Sequence, residues 1–130
     1  MSGETDLSIL LKNIKPFLNE GEYVFCTVDD LTQIDTNDVI GTFKEKECTT
    51  LILSRAKADK MNLSYSFVFA WITLSVHSSL EAVGLTAAFS KALSAEGISC
   101  NVVAAFYHDH IFVNIKDAEK AIKILTALTH

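Results

Sequence analysis

FAWITLSVHSSLEAVGLTAAFSKALSAEGISCNVVAAFYHDHIFV, residues 69–113, carries the organisation of this chain. It opens inside an apolar run over 64–76 in which Phe67, Val68, Phe69, Trp71, Ile72 and Leu74 supply side chains for both faces. That pattern predicts a central strand covered on both sides. The run exceeds an ordinary strand, so it should bend or serve two sheets in turn. Past a polar stretch ending at Gly84, Leu85, Ala88, Phe89, Ala92 and Leu93 recur at the spacing of one helical face. Gly97 stands where a left-handed residue would end that helix, with Ile98 placed to fold back onto Leu93. Ile98, Cys100, Val102, Ala104 and Phe106 then alternate with Ser99 and Asn101, a strand pattern. His108-Asp109, two residues that tolerate positive φ, are read as the turn of a hairpin spanning 107–110, with the return strand over 110–115.

Working outward, Asp117 can cap a last helix whose inner face is Ala118, Ala121, Ile122, Leu125 and Leu128. At the front, Leu7, Leu10, Leu11 and Ile14 predict a helix over 6–15, capped by Thr5 or Asp6 and stopped by Pro16. A turn over 19–21 leads to a strand over 23–28, and a polar loop with a short helical turn fills 29–38. A hairpin of 39–44 and 48–54 follows, joined through 45–47, and then a short charged helix over 55–61. The two halves of the chain share a strand–hairpin–helix rhythm. The first lacks the long helix after its first strand, a place the 6–15 helix would fill.

Bulk properties narrow the class. In 130 residues, 49% hydrophobic and 21% charged, there is material for one sizeable globular domain or two small ones. A net charge of -5 with no basic stripe argues against nucleic acid as a partner. The most apolar stretch, 67–76, falls well short of the roughly 20 residues a membrane helix needs, so no membrane partner is expected. The acidic start lacks the features of a secretory leader, and Cys26, Cys48 and Cys100 are odd in number and widely spaced. Reduced, buried thiols in a cytoplasmic protein are expected.

Strand–helix–hairpin–helix is most of a split βαβ unit: an α+β fold, ferredoxin-like, with an antiparallel sheet and helices on one face. Three segments carry a family resemblance: LSVHSSLEAVGL (74–85), GISCNVV (97–103) and YHDHIFV (107–113). With GEYVF (21–25) and TFKE (42–45) in the first half, the chain resembles the ACT domain family, in its small stand-alone bacterial form with two ACT-like halves. The halves would be 1–63 and 64–130. The resemblance implies a regulatory module that binds an amino acid where two such units meet, against the loop after the first strand and the start of the following helix. A usual ACT domain closes with a fourth strand after its second helix. Here that edge should be filled from elsewhere, by part of 64–76 or by the N-terminal half. Proline is also expected after Phe112-Val113, where Asn114 stands.

The candidate ligand site follows: Val76, His77, Ser78, Ser79, Val83, Gly84 and Leu85 in the loop and helix start, with Asn101 and Asp109 on the facing hairpin. Free N–H groups at a helix N-terminus favour a carboxylate. Gly84 permits close backbone approach, and the serines add hydroxyls. A capped helix start, with Gly84 chosen for packing, would explain the same residues; Asp109 would equally serve the turn, and Asn101 a neighbouring loop. Thr27, Val28 and Asp29 hold the corresponding place in the first half. His77, His108 and His110 are the one cluster resembling metal ligands. The histidines would equally bond across the hairpin, and a Cys–His pair such as Cys100 with His77 would have to be brought together by the fold. Phe67, Phe69, Trp71 and Phe106 are expected in the core. The expected function is amino-acid binding with a regulatory outcome, without catalysis, cofactor or metal. A homodimer and a separate regulated protein would be its partners. The alternatives are an assembly module with no ligand and a metal-dependent hydrolase.

Overall fold

The computed structural model describes residues 14–75 and 84–128. In chain order the elements are β1 (Lys15–Leu18), β2 (Tyr23–Val28), β3 (Gly41–Lys44), β4 (Thr49–Ser54), α1 (Arg55–Lys60), β5 (Phe69–Ser75), α2 (Leu85–Ala95), β6 (Cys100–Ala104), β7 (Asp109–Asn114) and α3 (Ala118–Leu128). They divide between two compact units, Gly21–Phe69 and Met1–Glu20 with Ala70–His130. The fold is α+β with helices and antiparallel pairing, as the sequence predicts.

In the unit Gly21–Phe69 the strands run β3-β4-β2. Period-two alternation decides which side chains go inward. Val24, Cys26, Leu51 and Leu53 are buried with Ala58 of α1. The Ser54 hydroxyl caps α1 by accepting the Lys57 N–H at 3.3 Å. The polar loop before β3 holds two short 3-10 turns, Leu31–Gln33 and Thr36–Asp38, each begun by an aspartate that accepts an N–H two residues on. Phe69, the first residue of β5, lies across from Tyr23.

In the other unit the order is β1-β5-β7-β6. Ala70, Ile72 and Leu74 alternate inward from β5 and meet Ile111 and Val113 of β7 beneath α2 and α3. Leu85, Phe89 and Leu93 form the buried stripe of α2; Ala118, Ala121 and Leu125 form that of α3. α2 ends as its glycine requires. Gly97 has φ +77°, its N–H bonds Ser94 O at 3.0 Å, and the Ile98 N–H bonds Leu93 O at 3.0 Å. Ile98 and Leu93 lie buried in the same core.

The missing fourth strand is β1. It pairs antiparallel with β5, from Lys15 opposite Ser75 to Leu18 opposite Ile72. The predicted helix over 6–15 lies outside the described residues except for its end, where Lys15 is already strand. Pro16 sits within that strand. It is tolerated because β1 is an edge strand whose outer side needs no ladder donor. Residues 1–20 thus join the second unit although the sequence reading groups 1–63 together.

Two further expectations change. The strand read over 64–76 spans only Phe69–Ser75. The hairpin turns two residues earlier than His108-Asp109, because Val103 faces His110 and Ala104 faces Asp109, leaving Phe106-Tyr107 at the tip. The last pair of the hairpin is Cys100 with Val113, and the next residue, Asn114, accepts the Lys116 N–H on its side chain at 3.1 Å and starts the following helical turn. Phe106 is 92% and Tyr107 77% exposed, and Phe67 is 63% exposed, so Phe106 and Phe67 leave the expected core.

Phe89→Ala should lower stability by about 3–5 kcal/mol through loss of a filled core site. Gly97→Ala, with nothing within 4 Å of an added Cβ, should cost only the left-handed backbone, about 1–2 kcal/mol. Urea unfolding of the two variants checks both the magnitudes and their order.

Candidate functional site

Gly84 opens α2 with φ +89°, a left-handed conformation that other residues adopt only with strain. Its carbonyl accepts the Ala88 N–H at 2.8 Å, closing the first helical turn. No side-chain hydrogen bond caps this end from Gly84, so the first-turn N–H groups are free of a cap from the residue that usually supplies one. Leu85 is buried in the core and anchors the helix start. Val76, His77, Ser78, Ser79 and Val83 lie outside the described residues.

Asp109 is the first residue of β7 and pairs with Ala104, so it is not a turn residue. It shares its strand face with Ile111 and Val113, the face covered by the helices. Its neighbour His110 meets Thr73, two residues before the end of β5. His110 also meets Trp71, so Asp109, the first residue of β7, stands one residue from the point where that strand bonds to β5. Burial raises its pKa, opposed by the charge of His110. Asn101 is exposed across from Phe112, on the other face. It is three positions along β6 from Ala104, roughly 10 Å. The structure does not bring Asn101 and Asp109 around one compact ligand. Thr27 and Asp29 are exposed at the end of β2, and Val28 packs on the core of its own unit.

The opposite face holds a network absent from the sequence reading. The Asn19 side-chain N–H donates to Trp71 O at 3.1 Å and to Thr73 Oγ1 at 2.9 Å. Thr73 Oγ1 lies 3.1 Å from His110 Nδ1, and Trp71 Nε1–H donates to the same nitrogen at 3.0 Å. Indole is a donor only, so His110 Nδ1 must be the acceptor. With the Thr73 oxygen accepting from Asn19, its hydroxyl proton is free to be the second donor. The neutral ring then carries its proton on Nε2. Protonating Nδ1 would set N–H against N–H and orphan the Trp71 donor. Burial, then the neighbouring charge of His108, depress the His110 pKa, while Asp109 opposes them.

This tautomer bears on the metal reading. With the turn at Phe106-Tyr107, His108 and His110 fall on one face, with ring centroids 6.3 Å apart. The lone pair of His110 is taken by two donors, however. Among the described residues no group of three or more His, Cys, Asp or Glu could hold a metal ion. His77, the third proposed ligand, lies outside them. His108 Nδ1 is buried without a hydrogen-bond partner among the described residues. Of the thiols, all three are free. Cys26 is buried, which raises its pKa, as does the charge of Asp59; it is a poor nucleophile. No helix among the described residues is long and apolar enough to cross a membrane.

Two ACT-domain models match the sequence, over residues 2–70 and 67–127. The chain belongs to the ACT-domain family. No curated protein matches it. Among solved structures it is similar to VC0802 of Vibrio cholerae, a protein of unknown function, with 45% identity, a TM-score of 0.88, and coverage of 99% of this chain and 100% of that one. It shares the fold of the regulatory subunit of aspartate kinase from Thermus thermophilus (8% identity, TM-score 0.64, 88% and 96% covered). It also shares the fold of Clostridium acetobutylicum aspartate kinase (13% identity, TM-score 0.67), covering 90% of this chain and 34% of that enzyme. The ACT resemblance read from 74–85, 97–103 and 107–113 is thus established, and β1 supplies the strand by which the second ACT sheet is closed.

The histidine network predicts a pH dependence. A His110 pKa lowered by folding means the unfolded chain binds more protons. Its stabilising contribution is therefore complete above the unfolded value of about 6.5 and is lost as pH falls from there toward the lower folded value. Asp109, raised by burial, acts with opposite sign in a lower window, just above the usual aspartate range. The urea midpoint should fall between about pH 7.5 and pH 5.5, and His110→Gln should flatten that difference. An equal slope in the variant would refute the assignment.

Proposed function

We propose that this ACT protein is a small-molecule-binding regulatory module with no catalysis of its own, and that its ligand is an amino acid or a similar zwitterion. Two observations support the reading: Gly84, φ +89°, starts an 11-residue helix, and Asp109 is the first residue of β7, on the sheet face that the helices cover. A ligand carboxylate would take the first-turn N–H groups of α2, where the helix dipole favours negative charge. The ligand ammonium would pair with Asp109. Val76, His77, Ser78, Ser79 and Val83 would line the same site from the connecting loop. Asn101, on the other face, is left out of this arrangement.

Regulation requires unequal affinity for two states. A ligand bound equally by both arrangements of an ACT interface would transmit nothing, however tight its binding. The regulated activity would reside on a separate protein, with this chain a cytoplasmic homodimer, each copy carrying two ACT units, Gly21–Phe69 and Met1–Glu20 with Ala70–His130. The ACT family and the shared fold of an aspartate-kinase regulatory subunit support a regulatory role.

Thermal shift followed by calorimetry against the twenty common amino acids tests this. At a ligand concentration of about 100 Kd, the true ligand should stabilise the protein by about 2.7 kcal/mol. Asp109→Asn should weaken its binding at least about tenfold, the loss expected on removing a charged partner. Silence across the whole set would leave an assembly module without a ligand.

A further inference from the structure

The unit Gly21–Phe69 has a second sheet face, opposite its core. Pairing of Phe25 with Ile52, Thr27 with Thr50 and Phe43 with Thr50 puts these side chains on one side, joined by Tyr23 and Phe69. Phe69 packs edge-on against Phe25 with centroids 5.2 Å apart and tilts against Phe67 at 6.4 Å. None of these aromatics belongs to the buried cluster that fills the other side of the strands. Phe43 is 71% and Phe67 63% exposed.

Every strand position on this face is uncharged: Tyr23, Phe25 and Thr27 on β2, Thr50, Ile52 and Ser54 on β4, Gly41 and Phe43 on β3. Charge is confined to its margins. At one end Glu45 accepts the Thr50 hydroxyl, and at the other Arg55 pairs with Glu22 at 3.0 Å. An aromatic centre depleted of charge within a polar rim is the composition of a protein interface.

We infer that this aromatic face is where two copies of the chain associate, face to face about a two-fold axis. Two arguments select a second copy. The chain carries a net charge of -5, so copies repel wherever charged surfaces meet. This face brings no like charges together when it meets itself, as a two-fold contact demands. The area also fits. Phe43 and Phe67 alone expose roughly 270 Å², taking about 200 Å² for a whole phenylalanine. With the half-buried members the face reaches roughly 500–600 Å², so two copies bury on the order of 1,100 Å². That is the lower bound of specific interfaces, which points to a weak, reversible dimer. The contact makes no use of Gly84 or Asp109 and is independent of the ligand reading.

Sedimentation equilibrium of the full chain without ligand, from about 1 μM to about 1 mM, tests it. A reversible monomer–dimer equilibrium with a micromolar Kd is expected. Phe43→Glu and Phe67→Glu should each raise that Kd at least about tenfold. Both side chains are exposed, so the variants should keep the parent circular dichroism and urea midpoint. Mixing Phe43→Glu with Phe43→Lys should restore a mixed dimer, as opposite charges then meet in the same patch. A monomer at every concentration overturns the inference. So does a dimer whose Kd neither variant changes.

Discussion

The second ACT unit depends on a four-residue strand that arrives from the far end of the sequence. β5 is the strand on which its core is built, with Ala70, Ile72 and Leu74 fully buried. Without β1, one edge of β5 would present unpaired N–H and C=O groups beside an apolar core, a costly state. Lys15–Leu18 satisfies that edge in antiparallel register. Asn19 then locks the strand end: its backbone N–H bonds Trp71 O at 2.9 Å, and its side chain bonds the same carbonyl and Thr73.

Closing that edge has consequences on both faces. On one, Thr73 is oriented by Asn19 so that its hydroxyl can serve His110, and Trp71 adds the second donor. On the other, the end of β5 at Ser75 fixes where the chain departs for Gly84 and α2. Asp109 and His110 are consecutive, and strand alternation gives them different environments. The carboxyl group stands on the face that the helices cover. The imidazole is held neutral among aromatic and hydroxyl groups. Displacing β1 would therefore disturb the candidate site without touching a residue of it.

Much of this architecture is legible from local pattern. The stripe Leu85–Phe89–Leu93 and the stop at Gly97-Ile98 are short-range signals whose geometry is complete within a few residues. The strand Tyr23–Val28 and the hairpin to Ser54 are equally local. β1 was not legible, because four residues containing Pro16 have no periodicity of their own and acquire strand structure only from a partner some 55 residues away. The hairpin apex was misplaced because a shift of two residues preserves which side chains face the core, so hydrophobic alternation cannot distinguish the registers. In the candidate site, Gly84 and Asp109 are visible as residue types, but the placement of Asp109 and Asn101 on opposite faces of the sheet is not. The His110 network had one trace, a threonine between Ile72 and Leu74; its partners Asn19 and His110 are 54 and 37 residues from Thr73.

The account rests on the front of the chain completing the second ACT sheet, and solution NMR addresses this without any ligand. Cross-strand backbone NOEs should link Phe17 with Thr73 and Leu18 with Ile72, the facing pairs of the two strands. Absence of those contacts while β6 and β7 still show their own would contradict it, because the sheet would then stand closed without β1.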